Sequence, residues 1–144
     1  MTDRDPLQRF VDAQDAGETY AQALRELLAG HKRGHWMWFV FPQIAGLGHS
    51  ATAQHFAIAD LGEAKAYLDH PVLGARLLEA SAALTGLSAT DPVQVLGTVD
   101  AHKLQSSMTL FSLAAPHESV FQRVLDTYYG GVRDDGTTSR MVQQ

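Results

Sequence analysis

The sequence predicts an all-α fold, a single irregular bundle of six to eight helices. Three observations predict it. Apolar residues recur at spacings of three and four along most of the chain, which is the period of one helix face. Cap residues, prolines and glycines fall between these stretches, where helices begin and end. No two alternating apolar and polar runs flank a hairpin turn, so no strand pair is expected. The length of 144 residues suits one domain, and 45% apolar against 19% charged residues gives enough burial to offset the entropy of ordering without staples.

Taken in order, Asp5-Pro6 joins a cap residue to a first-turn proline, and Leu7, Phe10, Val11 and Gln14 follow at helical spacing until Gly17. A second helix begins near Glu18 or Thr19, puts Tyr20, Ala23, Leu24, Leu27 and Leu28 on one stripe, and stops at Gly30. The segment from Gly34 to Gln43 then runs six large apolar side chains together, Trp36 to Phe41, with no polar face at either period. It must be covered on several sides. Pro42 disfavours helix at Phe41, so the segment is a short buried helix or an extended stretch, with the helix favoured.

The glycine-rich loop IAGLGHS leads through Ser50 into a short helix over 51–57. Leu61 to Asp69 forms the next, with Ala64, Tyr67 and Leu68 inward, and His70-Pro71 separates it from a helix carrying Leu73, Leu77, Leu78 and Ala82 to Leu84. Asp91-Pro92 repeats the cap-then-proline signature before a short turn ending at Gly97. Asp100 is expected to cap a longer helix through Ala114 with Leu104, Met108 and Phe111 as its core stripe. A last helix from Ser119 carries Val120, Phe121, Val124, Leu125 and Tyr128 and closes at Gly130 and Gly131. The domain is thus expected over 1–131, and the polar residues 132–144 as a flexible tail.

Composition excludes several chemistries. With no cysteine there are no disulfides, thiolate zinc sites, iron–sulfur clusters or cysteine nucleophile. The opening MTDRDPLQRF has no apolar signal region and no stretch is long enough to span a bilayer, so a cytoplasmic protein with no membrane partner is expected. A net charge of −5 opposes long-range attraction to nucleic-acid phosphates, and nucleic acid is not the expected partner, despite a basic patch at Arg25, His31, Lys32, Arg33 and His35. The loop GLGHS lacks both the GxGxxG spacing and the Walker lysine, no GxSxG elbow is present, and the seven histidines include no HExxH pair, so neither cofactor nor metal is expected.

The segments LQRFVDAQ, YAQALREL, HWMWFVFPQ, GLGHS, EAKAYLDHPVLGARL and DAHKLQSSMTLF together resemble a widespread bacterial and fungal family of unknown function, to which the name calpastatin is sometimes wrongly attached. HWMWFVFPQ with KLQSSMTLF carries most of the specificity. The resemblance implies a mostly helical single domain and no established activity. Ala101-His102 stands where the family usually has an acidic and an apolar residue, which weakens any two-carboxylate mechanism.

Candidate site residues fall in two places. On the helix after Asp100, Lys103 with Ser106 and Ser107 sets a cation and hydroxyls near a helix start, where backbone donors also favour an anion. In the aromatic segment, leaving Trp36 and Trp38 in water would forfeit roughly 4 to 6 kcal/mol each, so each is core or the wall of a site. Gln43 can donate and accept in one plane, and His35 is of the residue type suited to acid–base work. The alternative roles are structural: a solvated lysine, tolerated serines, a loop-capping glutamine and a hydrogen-bonded histidine.

The expected function is binding of a small anionic ligand, a nucleotide or ADP-ribose derivative, in a pocket between the aromatic segment and the Asp100 helix. Trp36, Trp38, Gln43, Lys103, Ser106 and Ser107 would contact it, and any glycosidic hydrolysis would fall to His35 and Asp100. The competing expectation is a non-enzymatic interaction module, such as a homodimer.

Overall fold

The computed structural model describes residues 5–142. The helices are α1 (Gln8–Asp15), α2 (Thr19–Ala29), α3 (Met37–Val40), α4 (Ala51–His55), α5 (Leu61–Asp69), α6 (Leu73–Thr85), α7 (Pro92–Leu96), α8 (Thr98–Ala114), α9 (Ser119–Tyr129) and α10 (Asp135–Val142), with a 3-10 turn at Ala16–Glu18. Seven of them are eight residues or longer, and α3, α4 and α7 are short pieces set in connections. Among the described residues, β pairing is limited to one isolated bridge between Ile44 and Ile58. The fold is all-α.

The middle of the bundle is α8, surrounded by α9, α7, α5 and α10, while α6 packs against α9, α5 and α2. A helix covered on all sides cannot show a simple amphipathic stripe. Accordingly α8 buries Leu104, Met108 and Phe111 but also Ser106, Ser107, Thr109 and Ser112. Phe111 lies between the rings of Tyr67 on α5 and Phe121 on α9, at centroid distances of 5.4 and 5.9 Å. Met108 meets α6 through the Ser81 hydroxyl, which donates to its sulfur at 3.7 Å.

Local sequence chemistry sets most helix ends. Ser50 accepts the Ala53 N–H at 3.1 Å, and Asp91 accepts the Val93 N–H at 2.9 Å with Pro92 in the first turn. Asp60 caps α5 by accepting the Glu63 N–H at 2.8 Å, while Glu63 reaches back to accept from Ala59 at 3.0 Å. This is a reciprocal capping box. At the end of α2, Gly30 adopts a φ of 77° that lets the His31 N–H turn back to the Glu26 carbonyl at 3.0 Å. Gly74 serves another purpose: a Cβ there would lie 2.0 Å from the Leu68 carbonyl oxygen, so the α5–α6 corner closes only without a side chain.

Four expectations are corrected. Leu28 is 60% exposed, because the inward stripe of α2 passes through Tyr20, Ala23, Glu26 and Leu27 instead. The turn before Gly97 is the helix α7. Asp100 does not cap α8: Gly97 holds that position and Asp100 lies inside the first turn, where its carboxylate is taken by Lys32. The segment expected as a loose tail forms α10 against α8. Buried Asp134 accepts from the Thr137 N–H at 2.9 Å and hydroxyl at 2.6 Å, the Asp134 N–H donates to the Thr109 hydroxyl at 2.9 Å, and Arg140 donates to the Gly46 carbonyl at 3.0 Å.

Candidate functional site

The loop joining α2 to α3 folds around one carboxylate. Glu26, buried in the last turns of α2, accepts the Arg33 and Gly34 N–H groups at 2.7 and 2.9 Å, the Trp36 indole N–H at 2.9 Å and the Gln22 amide at 2.6 Å. Burial alone would raise this carboxyl, but the backbone bonds from Gly34 and Arg33, aided by Gln22 and Trp36, outweigh it and hold the group at about 2. Glu26 is therefore an anion that organises the loop. Its sequence signal was an acidic residue on the buried stripe of α2, three positions after Ala23.

Lys32 then ties this loop to the rest of the bundle. Its N–H donates to the Val95 carbonyl of α7 at 2.7 Å, and its ammonium donates to the Gly34 carbonyl at 2.5 Å and pairs with Asp100 on α8 at 2.8 Å. The same ammonium stands 5.1 Å from the centre of the Trp36 ring. Trp36, only 1% exposed, is thus sealed between Glu26, Lys32 and Phe41. The buried state of Trp36 removes it from any surface on which a ligand ring could lie.

Trp38 differs. It is half-buried, and the Lys103 ammonium sits 4.8 Å from its ring centre. Lys103 also approaches the second oxygen of Asp100 at 3.8 Å. One carboxylate therefore lies between two ammonium groups, the nearer belonging to Lys32, which leaves the cluster one positive charge in excess. An ammonium carries three donors, and the long approach to Asp100 does not occupy those of Lys103.

Ser107 stands one helical turn beyond Lys103 on the same face of α8. Its hydroxyl is buried and has no hydrogen-bond partner among the described residues, an arrangement that native proteins rarely leave without a use. Side chains on a helix lean toward its N-terminus, so this hydroxyl leans toward the turn of Lys103. Ser106, by contrast, donates back to the His102 carbonyl at 3.2 Å. That bond uses its hydrogen within the helix.

The remaining sequence candidates are spread out. Gln43 is half-buried, its carbonyl accepting from Ile58 at 2.8 Å in the bridge that fixes the start of the glycine loop. His35 is exposed, and among the described residues its side chain has no hydrogen-bond or ion-pair partner. No bond joins it to Asp100, whose carboxylate faces Lys32 and Lys103. His31 and His35 stand four apart, but on the loop around Glu26 rather than on a helix. Among the described residues no group of three or more His, Asp or Glu could hold a metal ion, and no helix is long and apolar enough to cross a membrane.

The chemistry available at Trp38 and Lys103 is that of a π-face beside a cation with spare donors, suited to an anion attached to a ring. Two concave recesses lie elsewhere on the molecule, one of about 380 Å³ near Lys65 and His117 and one of about 480 Å³ near Arg9 and His55.

Comparison with known proteins gives the fold a close match. The crystal structure of the conserved hypothetical protein Rv1873 from Mycobacterium tuberculosis superposes with a TM-score of 0.92 at 44% identity, covering 96% of this chain and 99% of that one. No curated protein matches. The family model described as "Protein of unknown function (DUF1810)" matches residues 4–141. At that coverage, the chain belongs to the DUF1810 family, a family of unknown function.

Proposed function

We propose that the Trp38–Lys103 cluster binds a small anionic ligand that carries a ring, of the nucleotide or ADP-ribose class. The observation that carries this reading is the Lys103 ammonium 4.8 Å from the Trp38 ring centre while a single carboxylate, Asp100, serves both it and Lys32. A ligand ring lies on the Trp38 indole and its phosphate meets the Lys103 ammonium. Ser106 and Trp36 support this arrangement from within rather than touching the ligand.

Binding without turnover is the form of the function that the geometry favours. Asp100 is held as a carboxylate partner to two ammonium groups, and His35 stands apart from it, so the two do not form a general acid–base pair.

Titration of the protein with ADP-ribose and AMP by calorimetry tests the proposal. Lys103→Ala should weaken binding by about tenfold or more, a loss of ~1.4 kcal/mol, while unfolding at the same temperature as wild type. Unchanged affinity in a folded Lys103→Ala protein contradicts the proposal, as does the absence of binding to the wild type.

A second reading, an interaction module or homodimer, draws on large apolar side chains left in solvent: Val99 is 69% exposed and Val132 60%. Sedimentation at increasing concentration tests it, with a stable dimer as the supporting result and a monomer throughout as the contrary one.

A further inference from the structure

The recess of about 380 Å³ lies away from Trp38, where the carboxyl end of α8 meets the start of α9 and the outer face of α5. Its volume is at the small end of the range of small-molecule sites. Leu68 and Leu78 form its apolar side with Ala114 and Ala115 at the end of α8. Its charged lining is Lys65 and Asp69 on α5 with His117 and Glu118 in the α8–α9 connection.

Among the described residues, none of these four side chains has a hydrogen bond or ion pair within the protein. Arg9 with Glu63, Lys32 with Asp100 and Arg76 with Asp15 are, by contrast, paired with one another. The lining therefore offers two basic and two acidic groups with donors or acceptors unspent, together with apolar surface. A simple anion would meet two carboxylates here, and a simple cation would meet Lys65. A molecule with a carboxylate, an ammonium and an aliphatic portion satisfies all three features of the lining at once.

We propose that this recess is a second site, for a free α-amino acid with an aliphatic side chain. The carboxylate lies toward Lys65 and His117, the ammonium toward Asp69 and Glu118, and the side chain covers Leu68 and Leu78. The assignment is independent of the Trp38 site.

The test uses the full chain and three probes of matched shape: L-leucine, isoamylamine, which lacks the carboxylate, and isocaproate, which lacks the ammonium. Amide resonances are followed in two-dimensional NMR to about 10 mM ligand, a range that reaches millimolar dissociation constants. L-leucine should shift the amides of residues 65–69 and of Ala114, Ala115, His117 and Glu118 in a saturable way, and each one-charge analogue should bind about tenfold more weakly or not at all. Lys65→Ala and Asp69→Ala, both at exposed positions, should each weaken L-leucine about tenfold with the remaining spectrum unchanged. No shift with L-leucine, equal binding of either analogue, or binding insensitive to both substitutions overturns the proposal.

Discussion

The Glu26 carboxylate accepts the indole N–H of Trp36 at 2.9 Å while two backbone N–H groups of the intervening loop point at the same oxygen. This contact places one tryptophan inside the protein and, two residues on, leaves Trp38 at its edge opposite Lys103. The candidate site therefore depends on a buried anion that does not belong to it.

A pH dependence follows. The Glu26 carboxyl is lowered from its usual 4.5 to about 2 on folding, so its stabilisation is complete above about 4.5 and is lost as pH falls toward 2. Glu26→Gln should destabilise the protein by about 1 to 3 kcal/mol at neutral pH by presenting a poorer acceptor to four donors. Denaturant unfolding of both proteins across this range should show the difference shrinking below pH 4.5. A constant difference would show that the carboxylate charge is not what holds the loop.

Gly74→Ala should be among the most damaging single-methyl changes, because the added Cβ would stand 2.0 Å from the Leu68 carbonyl oxygen, a backbone atom that cannot swing aside. A loss of about 3 kcal/mol, read by chemical denaturation, is expected from such overpacking. A loss under about 0.5 kcal/mol, the size of a neutral surface change, would show that the α5–α6 corner adjusts freely.

The C-terminal helix depends on a buried side-chain cap. Asp134→Ala removes the acceptor of the Thr137 N–H and hydroxyl, which should cost about 1 to 2 kcal/mol. Hydrogen exchange should quicken across α10 with little change in α5 or α6, because the loss is local. Uniform acceleration over the whole chain would mean instead that α10 and the core open together.

The helices that were legible in the sequence are those whose ends carry their own chemistry. Ser50, the Asp91-Pro92 pair and the stop at Gly30 act within a few residues, and the structure places each where local reasoning does. What escaped depends on partners distant in sequence. Asp100 looks like a cap until Lys32 is brought beside it. Residues 132–142 read as tail because α10 docks through Asp134, Thr137 and Arg140, whose hydrogen bonds leave no apolar period to detect.

The geometry of the candidate site was half legible. Residue types pointed to an indole and an ammonium, and Lys103 does lie over Trp38. Spacing could not say which of two indoles two residues apart turns inward, because a segment apolar on all sides carries no phase. The deciding residue, Glu26, was hidden in a helix stripe that seemed to need only apolar side chains.

The most direct test of the central claim is the pair of indole N–H resonances in a two-dimensional NMR spectrum, assigned with Trp38→Phe. Addition of ADP-ribose should move the Trp38 signal in a saturable way and leave that of Trp36, bonded to Glu26, in place. Movement of the Trp36 signal alone, or of neither, would contradict the account.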